Sequence, residues 1–132
     1  MKKIGLVLSI LLLVAISLPA CTTGPQSTGS AADVVEEYLG ALVEKNENRL
    51  SSLVCGDWEA DALLELDSLQ AVETRLEGLS CQVTGTENDV ALVTCAGQII
   101  ATYNNEDQEL DLSVRTYQVV EQGGETLVCG YR

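Results

Sequence analysis

The apolar residues of this chain repeat with a helical period up to about residue 70 and with a period of two after it. This single change constrains the fold most, because a period near 3.6 places apolar side chains on one helix face, whereas alternation is typical of half-buried strands. The first part predicts three helices, at about 31–45, 48–54 and 58–66. Ser30 or Asp33 can cap the first of these helices.

The alternating part predicts four strands joined by short turns. The strands run from about Ala71 to a turn at 85–89, then over 90–103, about 109–121 and 126–131. The apolar phase shifts at Gly78, which predicts a β-bulge in the first strand. Helices followed by strands indicate an α+β fold, with N-terminal helices packed on a curved four-strand antiparallel meander.

The charge of the chain argues against a nucleic-acid partner. The chain has 20 acids against 7 Lys and Arg, a formal net charge of −13. A nucleic-acid binder needs a clustered basic footprint, and here the cations are scattered singly, so no nucleic-acid partner is expected. We interpret the acids of the third helix as a solvated face: Asp57, Glu59, Asp61, Glu65 and Asp67.

The chain contains no histidine. A Ser-His-Asp or Cys-His catalytic arrangement therefore cannot form, and the imidazole ligands of a catalytic zinc are missing. The remaining candidate catalytic pieces are tyrosines and acids: Tyr38, Tyr103, Tyr117, Glu109 and Asp111. Tyrosines on apolar faces are usually core residues, so these pieces do not predict an enzyme. No cofactor is expected.

The acids between Glu106 and Asp111 are the one candidate calcium site, since calcium takes carboxylate oxygens. They lack the order of an EF-hand, and we interpret them as a solvated turn that protects a sheet edge. No metal site is predicted.

The N-terminus predicts export. Met1-Lys2-Lys3 is followed by an uncharged apolar run from Ile4 to Leu18, which is short for a membrane span and typical of a signal peptide over 1–20. Leu18-Pro19-Ala20-Cys21 resembles the bacterial lipobox, which implies that Cys21 is the lipid attachment site and the new N-terminus. An ordinary secretory signal that leaves a free thiol is the alternative.

These features divide the chain into three parts: a signal peptide at 1–20, a flexible Gly/Ser/Thr-rich tether at 21–30 and a single α+β domain at 31–132. The expected location is the bacterial cell envelope, with the domain extracytoplasmic and anchored to the membrane through Cys21.

Four cysteines remain in the domain, an even number in an exported chain, which favours two disulfides. If the first hairpin turns about Asn88, Cys81 lies opposite Cys95, near bridging distance. Cys129, on the last strand, is too far from both, so we predict that it pairs with Cys55. A strand inserted out of sequence order would favour the alternative pairing of Cys55–Cys81 with Cys95–Cys129. A zinc site formed by the four thiolates is not expected, because the cysteines lack the C-x-x-C spacing that is usual in such sites.

The helix Val34-Val35-Glu36-Glu37-Tyr38-Leu39, two short helices and long bent strands that end in a hairpin resemble the nuclear transport factor 2-like superfamily. The segments Cys55 to Glu59, Asp67 to Leu69, Tyr103 to Asp107 and Cys129 to Arg132 resemble small bacterial lipoproteins of this shape with no assigned activity. The resemblance implies a cone-like fold with a pocket, as in ketosteroid isomerases.

The sequence therefore predicts a binding or protein-interaction module, whose partner is a small apolar ligand or a protein. An isomerase-like or hydrolase-like enzyme that uses the cone pocket is the alternative. A filled interior favours a scaffold and an open apolar one a carrier, whereas an interior acid facing a tyrosine hydroxyl favours an enzyme.

Overall fold

The computed structural model describes residues 30–132. The predicted signal peptide, Cys21 and the tether as far as Gly29 lie outside the described residues. Three helices come first: α1 (Ala31–Val43), α2 (Glu47–Ser52) and α3 (Gly56–Ser68). Five strands follow: β1 (Glu73–Glu87), β2 (Val90–Tyr103), β3 (Glu106–Asp111), β4 (Thr116–Gln122) and β5 (Glu125–Tyr131). The predicted α+β order of helices and then strands is confirmed.

Both candidate caps of α1 act together. The Ser30 side chain accepts a hydrogen bond from the backbone N–H of Asp33, and the Asp33 carboxylate accepts one from the N–H of Ser30. This reciprocal capping box satisfies two N–H groups that the helix itself leaves unpaired. At the other end of α1, the Thr74 hydroxyl donates to the carbonyl of Val43 at 2.7 Å and joins the helix to β1.

The sheet is antiparallel, in the order β1-β2-β4-β5, with β3 beside one end of β2. The prediction of four strands is wrong in one place, because a 3-10 turn over Leu112–Val114 divides the predicted third strand into β3 and β4. The Asp111 side chain accepts from the N–H of Ser113 and begins this turn. β3 therefore pairs with residues 98–103 of β2, and β4 pairs with residues 91–94.

The bulge predicted at Gly78 is present, as a register shift between Glu77 and Ser80 in the β1–β2 pairing. Gly78 has a φ of 64° and Gly97, opposite it, a φ of 99°. A Cβ on Gly97 would lie 2.5 Å from the carbonyl oxygen of Glu77, so only glycine fits this close approach. Bulges of this kind typically bend the strand that contains them.

The two disulfides are the pairs that the sequence predicts. Cys81 and Cys95 are directly opposed in β1 and β2, with 4.0 Å between their Cα atoms. The second disulfide joins Cys55, just before α3, to Cys129 on β5. The split of the third strand leaves this pairing unaffected because β5 still lies beyond β4, away from β2.

The core lies between the helices and the sheet. Its wholly buried residues come from both layers: Val35, Tyr38, Leu39, Leu42, Leu50, Val93, Tyr117 and Val128. Large side chains fill this interior. No helix among residues 30–132 has the length and apolar character that crossing a membrane requires.

Candidate functional site

The beginning of α3 is clamped to β5, and this fixes the position of the helix over the sheet. The backbone N–H of Cys55 donates to the carbonyl of Val128 at 3.0 Å, and the N–H of Val128 donates to the carbonyl of Leu53 at 2.8 Å. The disulfide from Cys55 to Cys129 reinforces the same junction.

Trp58, in the first turn of α3, lies against the backbone of β5. A Cβ on Gly130 would lie 3.4 Å from Cε3 of Trp58, so the absence of a side chain at Gly130 lets the indole approach the strand. The Trp58 and Tyr131 rings meet edge to face, with centroids 5.5 Å apart. Edge-to-face contacts add attraction beyond the apolar area they bury, so this pair makes a firm aromatic wall.

Beside this wall is a cavity of about 450 Å³ between α3 and the sheet, which we call the α3 cavity. Its lining combines aromatic, aliphatic and charged side chains: Trp58, Asp61, Leu64, Glu65, Ser68, Leu69, Ile99, Leu110, Arg115 and Tyr131. Apolar cavities with a few convergent polar groups are the usual form of binding sites.

The inner side of the α3 cavity is a polar cluster around Glu65. One carboxylate oxygen of Glu65 accepts from the Arg115 guanidinium at 2.6 Å, and the other accepts from the Tyr38 hydroxyl at 2.9 Å. The Arg115 and Glu65 side chains are only 21% and 16% exposed, so solvent screens this ion pair little. Arg115 also stacks over the Tyr131 ring, 4.2 Å from its centroid.

The pKa shifts follow from burial and from this cluster. Burial and the Glu65 carboxylate raise the pKa of Tyr38 far above its ordinary value. Burial raises the pKa of Tyr117 to about 12, although the Arg115 guanidinium beside it opposes the shift. Burial disfavours the charged form of Arg115, but the Glu65 carboxylate outweighs this and keeps the pKa of Arg115 above its ordinary value. At neutral pH both tyrosines are therefore protonated, beside a charged Arg115.

Two buried polar atoms near this cluster lack a hydrogen-bond partner among residues 30–132: Nε1 of Trp58 and the hydroxyl oxygen of Tyr117. Tyr117 is fully buried and packs edge to face on Tyr38 and Tyr131, with centroids 6.2 and 5.6 Å away. An aromatic cluster whose polar atoms are only partly satisfied is thus enclosed behind the α3 cavity.

The expectation that Glu65 belongs to a solvated face is wrong. Trp58, Ala62, Glu65 and Leu69 follow helical spacing, so Glu65 lies within the apolar stripe of α3 and points inward with it. Arg115 was a second residue that sequence reasoning missed, because the pair is separated by 50 residues. The spacing within α3 was the signal that could have identified Glu65.

The other candidate catalytic pieces do not assemble with these residues. Tyr38 and Tyr117 are in the core, but Tyr103 is 59% exposed, and Glu109 and Asp111 are exposed as well. Asp111 begins the 3-10 turn, where its hydrogen bonds with Ser113 lower its pKa. Within residues 30–132, no group of three acids, cysteines or histidines is arranged to hold a metal ion.

Likeness to known proteins adds nothing to this geometry, and the resemblance to the nuclear transport factor 2-like superfamily stays an expectation. No protein-family model matches the chain, and neither does any curated protein or solved structure.

Proposed function

We propose that this chain is a lipid-anchored, extracytoplasmic binding module, and that the α3 cavity receives an apolar group of its ligand or partner. One observation carries the proposal: the interior is filled, yet an aromatic and aliphatic cavity of about 450 Å³ remains accessible beside α3. Cavities of this size and lining are typical of ligand sites.

The fold proposed for this module is cone-like, with the helices on the inner face of a curved sheet. Two features support this shape. The register shift at Gly78 is of the kind that bends a strand, and the 3-10 turn at Leu112–Val114 separates β3 from β4. Buried residues from all three helices and from β2, β4 and β5 make one core.

Occupancy of the cavity can be tested with two matched serine variants. The Ser68 hydroxyl donates to the carbonyl of Glu65, and the Ser52 hydroxyl donates to the carbonyl of Arg49, with the same three-residue separation. Only Ser68 lines the α3 cavity. Ser68→Phe should therefore block the cavity, whereas Ser52→Phe should not.

The measurement is mass spectrometry of small molecules, and of crosslinked proteins, retained by the chain purified from its native membrane. Whatever the wild type retains should be lost from Ser68→Phe and kept by Ser52→Phe. Identical sets of retained molecules in both variants would contradict binding in the α3 cavity.

The anchor is tested separately. Cys21→Ser should abolish acylation and release the chain from the membrane, because the lipobox resemblance places the lipid on that thiol. Metabolic labelling with a fatty-acid analogue measures this, and label that persists on the variant would refute the anchor.

An isomerase-like or hydrolase-like enzyme is the alternative, and one observation favours it: the Glu65 carboxylate lies 2.9 Å from the Tyr38 hydroxyl. Two observations weigh against it. Arg115 and Tyr38 together occupy both oxygens of Glu65, and Tyr38 is fully buried, where a substrate cannot reach its hydroxyl. Hydrolysis of para-nitrophenyl acetate that Glu65→Gln abolishes in a folded protein would reverse this ranking.

A further inference from the structure

We propose that the partner at the α3 cavity is a protein segment in which an apolar side chain is flanked by lysines or arginines. This inference rests on the proposed function, since it names the class of partner for the same cavity. Three observations support it: exposed apolar residues lie at the cavity, every cation of the domain already has a partner within the domain, and the edge of the cavity is negatively charged.

Exposed apolar residues lie around the α3 cavity. Leu64 and Leu110 line it and are 68% and 39% exposed. Val114, 75% exposed, directly precedes Arg115 in the chain. A partner that buries the two leucines gains affinity, because apolar surface is removed from water.

Every cation of residues 30–132 is already engaged within the domain. The four arginines all make ion pairs: Arg49 with Glu37, Arg75 with Glu77 and Asp107, Arg115 with Glu65, and Arg132 with Glu87. The fifth cation, Lys45, donates to the backbone carbonyl of Val72 at 2.6 Å.

The same residues contain all 20 acids of the chain, of which only five take part in those ion pairs. In the described part of the chain, most acids therefore make no ion pair and remain available to a partner. Every cation there already has an acceptor within the domain. Complementary charge speeds encounter and excludes wrong partners, so the matching partner is basic.

The edge of the α3 cavity has the same sign. Asp61 lines the cavity, is exposed, and makes no ion pair with a residue of the described chain. Asp57 lies one helical turn before it on α3. Because Glu65 already neutralises Arg115, an incoming side chain meets an apolar lining with net negative charge at its edge.

The negative charge also disfavours a second copy of the chain and anionic ligands at the apolar surface. A second copy would bring the same surplus of acids to the interface, and like charges oppose each other across it. Anionic phospholipids and nucleic acids would meet the same repulsion. A basic segment with an apolar anchor gains from both the leucines and the acids.

The test is selection of peptides from a random dodecamer phage library against the full chain in mild detergent. Enriched peptides are synthesised without tryptophan, and their binding is followed by the emission of Trp58, the single tryptophan of the chain, which lines the cavity. We expect enrichment of Lys and Arg beside a Leu, Ile or Phe, and affinity that falls as salt is raised.

Matched variants locate the site. Leu64→Ser with Leu110→Ser should weaken binding about tenfold or more, since burial of a leucine contributes about 1.5–3 kcal/mol. Asp61→Asn should weaken it about threefold and reduce its salt dependence. Val83→Ser removes an exposed apolar residue that does not line the cavity, and should leave binding unchanged.

Each other outcome overturns the inference in a recognisable way. Selected peptides without excess basic residues, or no enrichment at all, show that the partner is not of this class. If molecules are still retained in the α3 cavity of the wild type and lost from Ser68→Phe, the proposed function stands without this inference. If basic peptides bind equally well to the variant with Leu64→Ser and Leu110→Ser, the acids bind them outside the α3 cavity.

Discussion

Two clusters in this molecule contain the same kinds of group, an arginine, an acid and a hydroxyl, yet differ in their surroundings. Behind the α3 cavity, Glu65 joins Arg115 and Tyr38. On the solvent side of the β1–β2 hairpin, Asp107 joins Arg75 at 2.9 Å and Thr102 at 2.5 Å. The first arginine side chain is 21% exposed and the second 49%.

The distances within an ion pair therefore do not show how much the pair contributes to stability. Exposed pairs contribute little because water competes for both partners, whereas an enclosed pair cannot lose one partner without leaving the other charge poorly solvated. We call these groups the Glu65 cluster and the Asp107 cluster. Substitutions in the Glu65 cluster should therefore cost more stability than matched substitutions in the Asp107 cluster.

The largest effect should come from the disulfide that positions α3 over the Glu65 cluster. Replacing Cys55 and Cys129 by serine should lower the free energy of unfolding by about 4 kcal/mol, and replacing Cys81 and Cys95 by about 3 kcal/mol, because the longer loop gains more freedom when unfolded. The two pairs are 74 and 14 residues apart in sequence. Denaturant unfolding measures both, and a larger loss from the shorter loop would contradict the reasoning.

Removing the charge at the centre of the Glu65 cluster should have the next largest effect. Glu65→Gln should cost about 2 kcal/mol, because it leaves Arg115 charged and largely buried without its partner. Asp107→Asn is the matched control in the exposed cluster and should change denaturant unfolding by no measurable amount. Equal losses from the two variants would remove the distinction.

The two core tyrosines test the hydrogen bonds of the Glu65 cluster one at a time. Tyr38→Phe should cost about 1.5 kcal/mol, because it removes a hydrogen bond to a charged acceptor. Tyr117→Phe should be close to neutral, since the hydroxyl of Tyr117 has no partner among residues 30–132. Thermal and denaturant unfolding decide this, and a loss from Tyr117→Phe that matches Tyr38→Phe would indicate a hydrogen bond at Tyr117.

The tyrosine pKa shifts have the smallest effect at neutral pH, because they change the free energy of unfolding only in alkali. The pKa of Tyr117 is raised to about 12 in the fold, so its neutral form is favoured there and its contribution is complete below the unfolded pKa of about 10. That contribution is lost as pH rises through the folded pKa, by about 1.4 kcal/mol at pH 11. Tyr38 shifts in the same direction.

Unfolding experiments between about pH 8 and 12, with tyrosinate absorbance, measure this dependence. The free energy of unfolding should be flat up to about pH 10 and fall beyond it. Tyr117→Phe should remove part of the fall. A decline that begins near pH 8 would contradict the assignment.

Much of the fold followed from periodicity, because the local spacing of apolar residues depends on the element that contains them. The bounds of β2, the bulge at Gly78 and the opposition of Cys81 to Cys95 were all predicted. The interruption at Leu112–Val114 was missed, although the apolar phase changes there. A capped turn and a second bulge both change this phase, and only the hydrogen bond from the N–H of Ser113 to Asp111 distinguishes them.

The candidate site was less predictable than the fold. Acids are usually solvated, so composition favoured an exposed Glu65, and its position within the apolar stripe of α3 was the only local indication to the contrary. Nothing local indicated that Arg115 would be its partner. The exposed positions of Tyr103, Glu109 and Asp111 likewise depend on which part of β2 pairs with β3.

The sequence by itself determined the order of helices and strands, the excess of acids, the absence of histidine and the opposition of Cys81 to Cys95, because each depends on residue type or on short-range spacing. Only the tertiary structure decided that Glu65 meets Arg115 and Tyr38 beside the α3 cavity. Burial and the strength of an ion pair depend on distances between segments that lie far apart along the chain. Those distances are set when α3 is fixed to β5 by Cys55 and Cys129.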